Sequence, residues 1–440
     1  MEKSSENQYF KRDLLEELKK WVDRKEIIAI KGPRQAGKTT VLRMLELWLK
    51  EEKKVEPENI SFITFEDRDL RDKFSQDSKV FLHSLLPPKT GERFYLFIDE
   101  FQYAQDGGQK LKLLYDTFEN VKFIISGSSS LELTGKTAKF LVGRMFSFSL
   151  WQLSFGEFLR VRAPQLSRAY EEYASRLTQF IRQGTDFCFP SPDIFEKDFE
   201  REFEEYAIWG GYPEVVKATN EETRQIVLKN IFDTYISRDI IELLRIADYS
   251  RLKTLVELLA VQIGNLVNYT SLTQDSKSYF KEVKQYLTIL QETFVVSLLR
   301  PFSTNKTTEL KKNPKAYFVD AGLRNYIIRN TQKISLRADG GQIVENAVLS
   351  QLRKTNRDDY SIKYWRTLGG AEVDFVLEIA GKLLPIEVKY SHLNAPQISR
   401  SFHSFLSEYK PITALVLTKG FWGKKTIGKT DILFAPVWYA

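Results

Sequence analysis

A single cysteine, Cys188, among 440 residues rules out an intramolecular disulfide and a cysteine-built zinc cluster, and it fits a reducing compartment. No apolar run approaches the roughly 18 residues that a membrane-spanning helix needs. The start, MEKSSENQYFKRDLLEEL, has no apolar core of the kind a signal peptide carries, so a cytoplasmic location without membrane attachment is expected. Neither sign of charge dominates: 65 basic against 58 acidic residues leave +7, a mild lean toward anionic partners such as nucleic acid.

What is present is enough to fill several cores. Hydrophobic residues make up 42% and aromatics 13%, and the length suggests two to four domains of roughly 100 to 200 residues each. The stretch KGPRQAGKTT, residues 31–40, follows the apolar run EIIAI and precedes the helical pattern VLRMLELWLK. Gly32 and Gly37-Lys38-Thr39 satisfy G-x-x-x-x-G-K-[ST] in the strand-then-helix context that motif requires. Its glycines let backbone N–H groups turn onto phosphates, the lysine reaches the β and γ oxygens, and the Thr39 hydroxyl ligates Mg²⁺. The loop residues Gly32, Pro33, Arg34, Gln35, Ala36, Gly37, Lys38, Thr39 and Thr40 are therefore expected to hold ATP.

Downstream, RFYLFIDE reads as a buried strand ending in Asp99-Glu100. Asp99 is expected at the Mg²⁺ beside Thr39, and Glu100 as the group that polarises the attacking water. A third strand, VKFIISGSSS, offers Ser126 or Ser128 as a γ-phosphate sensor, Ser128 being placed in the nucleotide site. Arg144, in LVGRMFSFSL, is a candidate finger toward a neighbouring subunit's nucleotide; the alternative is a surface or salt-bridged arginine.

Arg12 with LLEELKKWV, GPRQAGKTT, FIDEFQYA, ISGSSS, LVGR, LSFGEFL and WGGYPEVV, in that order, resemble the AAA+ ATPases of the archaeal MCM/Orc-related branch. The resemblance implies five parallel strands with helices on both faces and a homo-oligomer. It implies an α/β chain made of an AAA+ P-loop core (1–155), a helical insertion and lid (156–240), a winged-helix domain (241–332) and a small α/β restriction-endonuclease-like domain (333–440). Residues 161–201 look like a local insertion, and Arg238 in YISRDI is the candidate lid arginine.

The middle supports the third of these modules on its own terms. Helical patterns at RLKTLVELLAVQIG, SLTQD and SYFKEVKQYLTILQETF lead into a strand pair, VVSLLRPF and KAYFVDAG, joined by the basic stretch STNKTTELKKNPK. That is the order of a winged helix, which inserts its last helix into the DNA major groove. Lys277, Lys281 and Lys284 would share one face of the third helix. Lys306, Lys311, Lys312 and Lys315 would sit on the wing, available for phosphates. A winged helix used as a protein contact is the alternative.

From about Gly340 the order is helix, three strands, helix, strand. Glu345, Asp374, Glu387 and Lys389 interrupt its apolar runs, with Glu387 and Lys389 on one face of PIEVK. Carboxylates that collect a divalent ion beside a lysine suit phosphodiester hydrolysis. The set is the PD-(D/E)xK pattern and resembles Holliday-junction-resolvase-like and restriction-endonuclease-like nucleases, though the proline before the first aspartate is missing. Asp374 and Glu387 are the expected ligands of a second Mg²⁺ or Mn²⁺. Three carboxylates against one lysine leave a net negative cluster, which favours a metal; a structural ion-pair network is the alternative. KGFWGKKTIGK, with Lys419, Lys424, Lys425, Phe421 and Trp422, has a composition suited to tracking a nucleic-acid strand, or is a plain loop.

Two functions follow as expectations. One is an ATP-dependent DNA-processing enzyme whose catalytic groups are Glu100, Arg144, Glu345, Asp374, Glu387 and Lys389. The other is a nucleotide-gated signalling or scaffold ATPase whose nuclease-like tail only binds.

Overall fold

The computed structural model describes residues 9–88, 91–128, 138–184, 187, 189, 193–235, 249–356 and 359–440. They form two compact units: residues up to 153 together with Glu292–Phe294, and residues 154–291 with 295–440.

The first unit is built on five parallel strands, β1 (Ile27–Lys31), β2 (Ile60–Thr64), β3 (Phe94–Asp99), β4 (Val121–Gly127) and β5 (Met145–Ser149), in the order β2-β3-β4-β1-β5. β3 and β4 are buried along their whole length, which a parallel sheet covered on both faces demands and their unbroken apolar runs supply. Strand alternation splits β1 between the two faces. Ile28 and Ile30 pack with Leu15 and Leu18 of α1 (Asp13–Lys19) and Val41, Leu42, Leu45 and Leu49 of α2 (Lys38–Glu51). Ile27 and Ala29 pack with Phe74 of α3 (Arg68–Gln76), Phe81 and Leu82 of α4 (Ser78–Leu85) and Leu111 and Leu114 of α5 (Gly107–Thr117). The five-stranded, two-faced core expected from the sequence is the one observed.

The strand order decides what meets at the carboxyl edge. β4 lies between β3 and β1, and its register pairs Ile98 with Ile125 and Ile30 with Ser126. β4, with Ser126 near its end, therefore separates the end of β3 from the phosphate-loop strand.

The second unit opens with helices Phe155–Arg162, Pro164–Gln183, Glu196–Trp209, Pro213–Lys217 and Glu221–Phe232. Arg238 and Cys188 lie outside the described residues. The WGGYP stretch has a structural cause. Gly210, at φ 77°, faces Asp320 so closely that a Cβ would sit 2.2 Å from its Oδ1, and the Gly211 amide donates to Asp320 Oδ2 at 2.8 Å.

Helices Tyr249–Val261, Tyr269–Asp275 and Phe280–Glu292 and an antiparallel pair, β6 (Val296–Leu299) and β7 (Lys315–Phe318), follow in the expected order. Three details depart from expectation. Lys277 is in the turn before the third helix, at φ 52°, and not on its face. The basic connection is not an open wing but contains the helix Lys306–Lys311, which Asn305 caps by accepting from Thr307 N. Lys315 is a strand residue, 3% exposed, so it is not available to a phosphate backbone.

The tail runs helix Gly340–Thr355, β8 (Ser361–Arg366), β9 (Glu372–Ile379), β10 (Lys382–Lys389), helix Arg400–Tyr409 and β11 (Thr413–Thr418), the predicted order. Two more strands, β12 (Gly423–Ile427) and β13 (Thr430–Pro436), complete a mixed sheet ordered β12-β13-β11-β10-β9-β8. No helix among the described residues is long and apolar enough to cross a membrane.

Candidate nucleotide site and the acidic centre of the tail

The phosphate loop is held close to the strand that follows it in space. A Cβ on Gly32 would lie 1.9 Å from the Leu150 carbonyl oxygen, so only glycine fits there. Gln35 and Gly37 take positive φ, 58° and 94°, and Gly37 opens α2, whose 14 residues aim their N-terminal amides and positive dipole end at the loop. Lys38 donates to the carbonyls of Gly32 and Pro33, both at 3.0 Å. Thr39 and Thr40 share its helical turn, and Arg34 donates to the Tyr103 hydroxyl at 2.7 Å.

Arg12, 4% exposed, clamps this loop from outside the motif. Its guanidinium donates to the Ala36 carbonyl at 2.7 Å and to the Trp151 carbonyl at 2.6 Å, tying the loop to the chain after β5.

Asp99 is the hub. Its Oδ2 accepts from the Thr39 hydroxyl at 2.5 Å, and its Oδ1 accepts from the Ser126 hydroxyl and from the Glu100 amide, the latter at 3.1 Å. The first turn of α2, the end of β3 and the end of β4 thus converge on one buried carboxylate. Glu100 turns the chain at φ 54° and accepts from the side-chain amide of Gln102, which also donates to Ser128 Oγ at 3.0 Å. Sequence reasoning named Ser126 and Ser128 as alternatives; in the structure Ser126 serves Asp99 while Ser128 connects through Gln102 to Glu100. Gln102 was missed, although it lies inside FIDEFQYA, because a glutamine two residues past the motif has no distinguishing pattern of its own.

Arg144 makes a two-point ion pair with Asp116, at 2.8 and 3.2 Å. Its carbonyl accepts from Ile27 N at the start of β1, the end of the strand away from the loop. It cannot touch the phosphates of its own site.

Of the four tail residues, Asp374 lies within electrostatic range of both Glu345 and Glu387. Asp374 on β9 lies next to Glu387 on β10, given the pairing of Phe375 with Ile386, and its Oδ2 accepts from the Val388 amide at 2.7 Å. Glu387 accepts from Ser399 N at 3.4 Å, and Lys389 is two residues further along the same strand. Glu345 accepts from the Tyr317 hydroxyl, and its Oε1 lies 3.4 Å from the Lys315 ammonium, which also pairs with Glu372. Burial pushes Asp374 well above the usual carboxylate range, with the negative charge of Glu345 adding to it. Burial pulls Lys315 down, but Glu345 and Glu372 more than offset it and hold the ammonium above the ordinary lysine value.

Among the described residues no three Asp, Glu, His or Cys side chains are grouped to hold a metal ion. Asp374 and Glu387, expected as ligands with Glu345 beside them, each accept from a backbone amide, while Glu345 accepts from Tyr317 and pairs with Lys315. This set does not fit a divalent ion as it stands. The strand-tracking reading of KGFWGKK is corrected as well. Trp422 packs on Phe187 and Tyr439 at 5.3 and 5.4 Å, Phe421 on Phe434 at 6.0 Å, and Lys419 pairs with Glu200 at 2.8 Å.

With this geometry in place, residues 24–159 match the family described as "AAA domain". That segment is an AAA-type P-loop ATPase domain. Residues 200–334 and 340–436 match two further families, each described as a domain of unknown function (DUF8612 and DUF4143). An uncharacterized protein of Haemophilus influenzae is 25% identical over 97% of this chain and 98% of its own length. One of Mycobacterium tuberculosis is 25% identical over 90% of this chain and 77% of its own, and one of Methanocaldococcus jannaschii 24% over 88% and 79%. Among solved structures, the Aeropyrum pernix ORC2 protein in its ADP form aligns with 72% of this chain and 92% of its own at 12% identity, TM-score 0.34. A signal transduction ATPase with numerous domains from Pyrococcus horikoshii aligns with 80% and 46% at 13%, TM-score 0.27.

Proposed function

We propose that this chain hydrolyses ATP in a reducing, cytoplasmic setting and couples the cycle to DNA held by residues 241–332, read as a winged helix. The observation that carries the ATPase reading is the convergence of Thr39, Ser126 and the Glu100 amide on Asp99, directly beside the loop closed by Lys38.

The chemistry follows from these groups. Lys38 is held by two neutral carbonyls, which charged phosphate oxygens outcompete, so the ammonium transfers to the β and γ phosphates of ATP. Thr39 Oγ1 and Asp99 are the hard oxygen donors adjacent to the loop that would hold Mg²⁺ or its waters, and Mg²⁺ supplies charge withdrawal from the β and γ oxygens. Glu100, steadied by Gln102, takes a proton from water as the water oxygen bonds to the γ phosphorus. The β,γ-bridging oxygen leaves with the electrons of its bond, giving ADP and phosphate. Arg144 acts only on a neighbouring subunit's nucleotide, in an oligomer, after releasing Asp116. The test is phosphate release by purified protein: Lys38→Ala loses ATP binding, and Glu100→Gln keeps binding but loses turnover. Full hydrolysis by either variant would overturn the reading.

DNA contact is supported by the exposed Lys281 and Lys284, by Lys311 and Lys312 near the end of the connecting helix, and by Tyr279 and Phe280, which are 72% and 50% exposed. Lys284 lies over the Phe280 ring at 4.5 Å and Arg251 over the Tyr279 ring at 5.7 Å, a mix of cations and exposed aromatics that suits phosphates and bases.

The tail, read as a PD-(D/E)xK-like domain, would cut DNA only with a divalent ion. The pairing of Lys315 with Glu345 and Glu372 favours the second reading, in which the tail grips without cutting and the ATPase acts as a nucleotide-gated signalling or scaffold device. Incubation with Mn²⁺ and linear or branched DNA separates the two: cleavage lost in Lys389→Ala restores the nuclease reading.

A further inference from the structure

We infer that Lys315 is the resident cation of the tail, an internal substitute that occupies the carboxylate centre and excludes a divalent metal from it. The inference rests on reading residues 340–436 as a PD-(D/E)xK-like domain, and it assigns the role to a residue outside that domain.

The geometry is specific. Lys315 projects from β7, the second strand of the pair that follows the three-helix segment, and is 3% exposed. Its ammonium lies 3.4 Å from Glu345 Oε1, on the helix Gly340–Thr355, and in direct contact with Glu372, on β9. Tyr317, two residues on and therefore on the same face of β7, donates its hydroxyl to the same Glu345 oxygen. One strand thus inserts a cation and a hydrogen-bond donor among the carboxylates of another domain.

Charge pairing covers two of the carboxylates at the centre, Glu345 and Glu372. Three carboxylates gathered around a single lysine would leave buried excess negative charge, which costs several kcal/mol unless it is paired. Lys315 serves Glu345 and Glu372, and Arg366 serves Glu372 at 2.8 Å. Asp374 accepts the Val388 amide. A divalent ion entering beside Glu345 would meet an ammonium 3.4 Å from Glu345 Oε1, and like-charge repulsion at that range opposes it.

The alternative placement of Lys315, on an exposed wing touching DNA phosphates, is incompatible with this burial. A methionine in its place fills a similar volume without charge and leaves Glu345 without its cation, so that the carboxylate, still accepting from Tyr317, can ligate.

The test is Mn²⁺ titration of the full, nucleotide-free chain by calorimetry, with Asp374→Asn as the marker of the tail centre. Wild type should show no saturable site that Asp374→Asn removes. Lys315→Met should gain one, at least about tenfold tighter than any wild-type uptake, and Lys315→Met/Asp374→Asn should lose it. Lys315→Arg, which keeps the charge, should behave as wild type. An Asp374-dependent Mn²⁺ site in wild type would overturn the inference while leaving the nuclease-like reading intact. Folded Lys315→Met that takes no metal would overturn both. Should Lys315→Met fail to fold, wild type decides: a melting temperature raised by Mn²⁺, with the rise lost in Asp374→Asn, overturns the inference, and one indifferent to Mn²⁺ and EDTA upholds it.

Discussion

The hydroxyl of Thr39 donates to Asp99 Oδ2 at 2.5 Å, joining the first turn of α2 to the end of β3 across a sheet in which their parent strands are not neighbours. Behind this contact stands the Glu100–Gln102–Ser128 chain. Gln102→Ala should leave ATP affinity unchanged and lower turnover by about 10- to 100-fold, because only the orientation of the base is lost. Steady-state kinetics with a parallel nucleotide-binding measurement checks it; an unchanged kcat removes Gln102 from the mechanism.

Arg12 acts through the loop and touches no reacting atom. Arg12→Ala leaves the Ala36 and Trp151 carbonyls without their charged donor, and ATP affinity should fall about tenfold. Arg12→Lys should recover part of the loss, because one carbonyl regains an ammonium. Equal affinities for all three proteins would show that the clamp is irrelevant to binding.

Lys122 offers a pH-dependent test of stability. Its ammonium, wholly buried, donates to the carbonyls of Trp21, Arg24 and Glu26. Burial, with Arg93 adding and Glu26 and Asp23 opposing, lowers its pKa from 10.5 to about 7. Between those values the unfolded chain carries the extra proton, so this group makes the fold more stable as pH rises from about 7 toward 10.5. Thermal melts should show that rise in wild type, and Lys122→Met should abolish it; a slope identical in both proteins would refute the assignment.

If Arg144 serves a neighbour's site, specific ATPase activity rises with protein concentration. Arg144→Ala should then lower it by on the order of 10³. Asp116→Ala, which frees the guanidinium, should not. Activity independent of concentration and of Arg144 would reduce the residue to its ion pair with Asp116.

For DNA, Lys281→Ala/Lys284→Ala should weaken duplex binding in fluorescence anisotropy and flatten the dependence on salt. Removing the cation from one phosphate changes the log–log slope by about 0.9. Substitution of Lys277, off the helix face, should matter less.

How much of this was legible beforehand depended on the range of the interaction. The loop Gly32–Thr40 is contiguous, so its turn, its glycine conformations and its helix start are local consequences of a short run of residues, and they were readable. So were the apolar runs of β3 and β4 and the helix and strand order of the tail, since burial on both faces writes itself as unbroken hydrophobicity. Gly210 was readable only as part of a motif; its cause, the approach of Asp320, lies far along the chain.

By itself, then, the sequence determined which segments became helices and strands and where a phosphate would be bound, because backbone geometry and hydrophobic periodicity act over a few residues. Tertiary structure alone decided the partners. Strand order brought Ser126 to Asp99, and Asp116 took Arg144. Lys315, indistinguishable in the sequence from the solvated Lys311 and Lys312, became the buried cation of Glu345 and Glu372. The physical reason is that a charged residue shows its sign locally, whereas its energy depends on the opposite charge and the burial that distant parts of the chain provide.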